Sequence, residues 1–161
     1  VPVLLLNTGE VIDESLDVIE WALSISDPKD WRRSQKSEKS SLLIKINDGE
    51  FKYHLDRYKY SKRYENEDPN HHREKCLNFI QQIEAELSTS KFLFDDNISL
   101  LDVSILPFIR QFRIADIDWF DSLNMPKTQK WLLNFLESDL LKSIMIKFPQ
   151  WKEGDEEVIF P

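Results

Sequence analysis

The stretch Ile98-Ser99-Leu100-Leu101-Asp102-Val103-Ser104-Ile105-Leu106-Pro107-Phe108-Ile109-Arg110-Gln111-Phe112 decides the fold. Ser99 suits a helix N-cap. Asp102, three residues on, is spaced to reach back to the Ser99 N–H, as Glu does in a capping box, and Ile98 with Val103 fills the hydrophobic-staple positions. Almost every residue from Leu100 to Phe112 is apolar, so the pattern predicts a helix over 98–113 that is buried nearly all round. Pro107 removes one backbone hydrogen bond inside it and predicts a bend. The spacing assigns Ser99 and Asp102 to structural capping, in preference to acid catalysis by Asp102.

Other helices flank this one in the sequence. Cys76, Phe79, Ile80, Ile83 and Leu87 recur at three- and four-residue spacing, which predicts an amphipathic helix over 69–88. Pro126 reads as a helix-starting proline ahead of Trp131, Leu132, Phe135 and Leu136. Ser138 or Asp139 can cap a further helix reaching Met145 and Ile146, stopped by Phe148-Pro149. The acidic end from Glu153 to Pro161 reads as loosely held.

The first part of the chain is different. Residues 2–6 read as a short buried strand, Asn7-Thr8-Gly9-Glu10 as a turn, and Val11-Ile12 as a second strand. Such a hairpin is marginal alone, and its continuous apolar run expects neighbours on both faces. Asp13-Glu14-Ser15 opens a helix with an apolar stripe of Leu16, Ile19, Trp21, Ala22 and Leu23, which ends by Asp27-Pro28. Residues 27–40 are polar and read as a linker. Over 41–60 pattern alone favours two strands, because Leu42, Ile44 and Ile46 alternate, Asn47-Asp48-Gly49 resembles a hairpin turn, and Phe51, Tyr53 and Leu55 alternate again.

Composition narrows the functions. The 161 residues carry 29 acidic and 21 basic side chains, a formal net charge of -8. That balance argues against a general nucleic-acid grip and against anionic membrane surfaces. A single cysteine, Cys76, precludes a disulfide within the chain and favours a reducing, cytoplasmic setting. No apolar run is long enough to span a bilayer. Only three glycines are present, which favours helices over a sandwich or barrel. His72 and Cys76 are four apart on one helix, but two ligands do not make a zinc site, so no metal is expected.

Three features stand in a telling order: Val1-Pro2-Val3-Leu4, then Glu14-Ser15 at a helix start, then Ser99-Leu100-Leu101-Asp102-Val103. Together they resemble the glutathione S-transferase family, closest to a group of bacterial transferase-like proteins. Asn47-Asp48-Gly49-Glu50-Phe51-Lys52, Leu55-Asp56-Arg57-Tyr58-Lys59-Tyr60 and Ile105-Leu106-Pro107-Phe108 look like theirs. The resemblance implies a mainly α fold: an all-α transferase C-terminal bundle over 41–161, preceded by the last β-hairpin and helix of a thioredoxin-like, glutathione-binding domain over 1–26, with 27–40 as linker. It also implies a long helix, kinked near its middle, over 41–60, and this replaces the two-strand reading.

The resemblance further implies glutathione as co-substrate. Val1 would pair its backbone with the cysteinyl part of glutathione, Pro2 would be cis, Ser15 would join a helix N-terminus in holding a carboxylate, and Glu14 would receive an ammonium. Read on the sequence alone, Ser15 caps its own helix. Arg57 and Tyr58 are candidates for the electrophile cleft, against a plain reading as surface packing. The thiol-activating residue belongs to a strand-helix-strand expected ahead of Val1, so the chain offers no catalytic residue and is expected to lack efficient transfer activity as given. The implied function is conjugation of glutathione to a small-molecule electrophile, or related thiol chemistry, in a homodimer. The alternative is a non-catalytic interaction module.

Overall fold

The computed structural model describes residues 3–159; Val1 and Pro2, and the expectations attached to them, lie outside the described residues. Strands β1 (Leu4–Leu5) and β2 (Val11–Ile12) pair antiparallel, with Leu4 opposite Ile12 and Leu5 opposite Val11. The turn closes through Leu6 N–H to the Glu10 carbonyl at 2.8 Å and Gly9 N–H to the Leu6 carbonyl at 2.9 Å, with Gly9 at φ 87°. That left-handed conformation is open to glycine at little cost. Helix α1 (Ser15–Ile25) follows and buries none of its residues completely.

The rest is helical: α2 (Glu38–Ile46), α3 (Lys52–Lys59), α4 (Pro69–Glu86), α5 (Leu100–Ala115), α6 (Ile117–Ser122), α7 (Pro126–Leu136) and α8 (Asp139–Ile144). α5 is the axis of the core. Leu101, Ile105, Leu106, Ile109 and Phe112 are essentially withdrawn from solvent, and Phe51, Ile80, Ile83 and Leu132 close around them. Pro107, inside α5, is exposed, so its missing N–H falls on the face away from the core.

Residues 41–60 are helical, and the two-strand pattern is overturned. α2 runs into a π-helical turn (Asn47–Phe51), in which the Asn47 carbonyl accepts the Lys52 N–H, and then into α3. The extra residue shifts the helical phase at the middle of the segment. Leu43, Asn47, Phe51 and Leu55 are the buried positions, four apart throughout. Leu42 and Tyr53, two members of the apparent strand alternation, are exposed.

Residues 27–40 are not a plain linker. The Asp27 carboxylate accepts the N–H groups of Trp31 (2.8 Å) and Arg32 (2.9 Å), starting a 3-10 helix (Trp31–Lys36). From it Arg33 forms a fork with Asp95 (2.8 and 2.9 Å) and donates to the Asn97 carbonyl. Buried Ser34 accepts the Leu101 N–H through its hydroxyl at 3.3 Å, satisfying a free donor at the start of α5. α2 begins at Glu38, capped by Ser37, ahead of the expected start at 41.

Asp102 ties three segments. Its Oδ2 accepts the Ser99 N–H (2.9 Å) and hydroxyl (2.8 Å); its Oδ1 accepts the Leu93 N–H (2.9 Å) and the Trp131 Nε1–H (3.0 Å). Burial pushes the carboxyl group above the usual range, opposed by these donors. A comparable cap joins α4 to α7, where Glu84 accepts the N–H groups of Lys127 (3.1 Å) and Thr128 (2.7 Å). α6 had no counterpart in the sequence reading; Asp116 caps it by accepting the Trp119 N–H at 3.1 Å.

Candidate functional site

The N-terminus of α1 faces the bundle. Glu14 is the N-cap by backbone conformation, yet its side chain makes no capping hydrogen bond. Ser15 is the first residue inside the helix, and no hydrogen bond of its hydroxyl occurs among the described residues. The first-turn N–H groups of α1 are thus without a side-chain cap, and the positive end of the helix is available to an anion.

Two adjoining hollows separate α1 from the bundle. The larger, about 550 Å³, is bordered by Leu16, Glu20, Gln35, Ser40 and Ile44. The smaller, about 130 Å³, runs from Ser15 and Ile19 to Asn47, Ser104 and Pro107. Asp48 borders both, but its carboxylate is held by Lys52 at 2.7 Å. Ser40 and Asn47 are 1% and 2% exposed, and neither the Ser40 hydroxyl nor the Asn47 Oδ1 has a hydrogen-bond partner among the described residues. Seven residues apart, they lie two turns apart along one face. Local sequence announces neither: the Asn47-Asp48-Gly49 run carries a hairpin-turn pattern and a family likeness, and neither marks a buried, unpaired amide.

Arg57 and Tyr58 border neither hollow. Arg57 stacks on the rings of Tyr53 (3.5 Å) and Tyr64 (4.6 Å) and pairs with Glu67 at 3.0 Å. Tyr58 packs on Phe112 with ring centroids 5.5 Å apart, and burial pushes its phenol above the usual range. Arg57 thus lies against the Tyr64–Glu67 segment and Tyr58 against α5. His72, buried on α4, meets His54 with Nδ1 atoms 2.7 Å apart and meets Glu67 through Nε2 at 2.7 Å. Cys76 is fully buried and its thiol is pushed up to about 12, which leaves it protonated and a poor nucleophile at neutral pH. Among the described residues no three His, Cys, Asp or Glu side chains are arranged to hold a metal ion.

A ββα unit leads into a helical bundle, with the uncapped N-terminus of α1 beside mainly apolar hollows that carry a few polar groups. Residues 46–139 match the model of the glutathione S-transferase C-terminal domain, and the chain belongs to that family. Solved structures agree on the fold. A glutathione S-transferase of class Gtt2 from Vibrio parahaemolyticus matches at TM-score 0.68 and 18% identity, over 89% of this chain and 72% of its own. BphK, a bacterial transferase solved as a ternary complex, matches at 0.71 and 15%, over 89% and 71%. A glutathione transferase from Pseudomonas putida, solved with one glutathione disulfide bound per subunit, matches at 0.63 and 16%, over 85% and 64%. No curated protein matches the chain. No helix among the described residues is long and apolar enough to cross a membrane.

Proposed function

We propose that the chain is the larger part of a glutathione-binding transferase, whose work is conjugation of glutathione to small electrophiles or related thiol chemistry. The observation that carries the reading is the free N-terminus of α1 at Ser15, open to the cleft beside the bundle. Unpaired N–H groups and a positive helix end suit a carboxylate, and glutathione carries two. Ser15 adds a hydroxyl donor; Glu14, exposed at the cap, offers a carboxylate for the γ-glutamyl ammonium. Val1 and Pro2 would supply the strand edge for the cysteinyl backbone. Domain limits of 1–26 and 41–161, a homodimer and a cytoplasmic setting belong to the same proposal. Cys76, buried and protonated, is not the thiol-activating group of this reading.

Calorimetric titration of glutathione into the protein and into Ser15→Ala tests this. Saturable heat that weakens several-fold in the variant is expected; no heat with either protein overturns the reading. A second reading, a docking module without chemistry, draws on the exposed apolar hairpin, where Leu5 and Val11 are 67% and 58% accessible. Absence of glutathione binding would favour it.

A further inference from the structure

We infer that the acidic turn near the end of the chain, residues 152–157, docks into a basic hollow between α4 and α7 of a second copy of this chain, and that two copies exchange these turns reciprocally. The inference goes beyond the glutathione-binding reading and does not depend on it.

The hollow holds about 220 Å³ and is bordered by Leu87, Ser90 and Lys91 just past the end of α4 and by Lys127, Lys130 and Asn134 on α7. The spacing 127, 130 and 134 puts three polar side chains on one face of α7. No carboxylate borders the hollow, and none of its three lysines forms an ion pair among the described residues. Nearby carboxylates are engaged elsewhere. Glu84 accepts the Lys127 and Thr128 N–H groups, Asp96 accepts the Lys91 N–H at 3.1 Å, and Glu86 pairs with Lys39 at 2.8 Å. Local structure gives no reason for cations here. Lys127 stands in the first turn of α7, where the helix dipole disfavours positive charge, and Lys130 on the same face repels it. In a chain of formal net charge -8, three unpaired lysines around one hollow ask for an anionic occupant.

The chain itself carries such a group. Asp155 closes the turn: its carboxylate accepts the Lys152 N–H at 2.8 Å, its N–H donates to the Lys152 carbonyl at 3.0 Å, and its carbonyl accepts the Trp151 indole N–H at 3.3 Å, with Gly154 at φ 96°. Glu153, Glu156 and Glu157 are exposed and form no ion pair among the described residues. Trp151 and Val158 flank the turn and are 59% and 57% exposed. A closed turn loses little freedom on docking, and Trp is among the side chains that anchor interfaces. Within the single chain no hydrogen bond or ion pair joins the turn to the hollow, so each is left without a counter-charge. Exchange between two copies satisfies both. Each copy contributes one hollow and one turn, and a two-fold arrangement closes with the contact made twice. Two acidic chains repel elsewhere, which leaves this pair of patches as the place of attraction.

Sedimentation velocity of the whole chain, with two charge-reversed double variants, tests this. Lys91→Glu with Lys130→Glu reverses the hollow. Glu156→Lys with Glu157→Lys reverses the turn and leaves Asp155 to hold it closed. The wild type is expected to dimerise at about 100 µM, with affinity falling about tenfold or more between about 0.05 M and about 0.5 M NaCl. Each variant alone is expected to stay monomeric. An equimolar mixture of the two is expected to regain association, since each then offers the other's complement. Mixing does not rescue a misfolded variant. A monomeric wild type overturns the inference. Association that both variants keep also overturns it, because the contact then lies elsewhere. A mixture that stays monomeric overturns it too, whether the turn serves its own chain or a small anion fills the hollow.

Discussion

Leu101, Ile105 and Ile109 on α5 are 0% exposed, whereas Leu5 and Val11 on the hairpin are 67% and 58% exposed, and α1 buries no residue fully. The same residue types thus meet opposite surroundings within one chain. In the bundle the core apolar side chains are enclosed by several helices, so their removal from water is nearly complete. In the ββα unit the hairpin has two strands and one helix behind it, and two strands enclose little. The bundle should therefore carry the stability of the chain, and the ββα unit should contribute its polar helix end to the cleft and little to the core.

The largest effect should come from Asp102. Asp102→Ala leaves the Leu93 and Ser99 N–H groups, the Ser99 hydroxyl and the Trp131 indole N–H without an acceptor in a buried place. Each unsatisfied buried donor costs about 1–3 kcal/mol, so the four together should cost roughly 4 kcal/mol or more in urea unfolding. A loss below about 1 kcal/mol would show that the bundle does not depend on this knot. Ile105→Ala comes next. A fully enclosed aliphatic side chain cut to Ala costs about 2–5 kcal/mol, read from the same unfolding curves.

The knot at Asp102 also marks how much was legible in the sequence. Ser99 and Asp102 are three residues apart, and a local spacing can be read directly. The same holds for the helices at 69–86 and 126–136, whose periodicity is undisturbed. What could not be read are partners far apart in the chain. Ser34 satisfies Leu101, Arg33 reaches Asp95, and Glu84 caps α7 at Thr128; no local pattern announces these, so 27–40 passed for a plain linker. At 41–60 the period itself misled. Leu42, Ile44 and Ile46 alternate because α2 shows Leu42 to solvent while Ile44 and Ile46 are half-buried at its edges. The family likeness settled the helix there; it did not reveal that Asn47 would end buried and unpaired. Ser15 and Glu14 were legible as a helix start, but that their helix end would remain uncapped toward a cleft is a tertiary fact.

A third prediction concerns pH. His54 shares a 2.7 Å Nδ1–Nδ1 contact with His72, whose Nε2 lies 2.7 Å from Glu67. Burial first, and then neighbouring His72, holds His54 below the usual histidine range. A histidine with a depressed folded value binds fewer protons folded than unfolded near pH 6, so stability is present above the unfolded value of about 6.5 and falls as the pH drops through the folded one. Two protonated rings cannot share that contact, since each Nδ1 would then carry a hydrogen. Thermal unfolding of the bundle between pH 7.5 and 5 should show this decline, and His54→Phe should flatten it. An unaltered slope in His54→Phe would assign the decline to carboxylates elsewhere.

The smallest effect should be at the hairpin. Leu5→Ala removes a side chain that already faces water, so little transfer energy is at stake and no cavity forms; surface changes of this kind stay within about 0.5 kcal/mol. Paired with Ile105→Ala, this is the direct trial of the contrast between the two regions. The same substitution separates two roles for the exposed strand face. If the face is only incidental, Leu5→Ala leaves both stability and self-association unchanged. If it is covered by a second copy in a dimer, stability at low protein concentration still changes little, but sedimentation velocity should show a weaker association. A stability loss above about 2 kcal/mol in the monomer would mean that Leu5 is enclosed in solution, and that the division of burial between bundle and ββα unit is wrong.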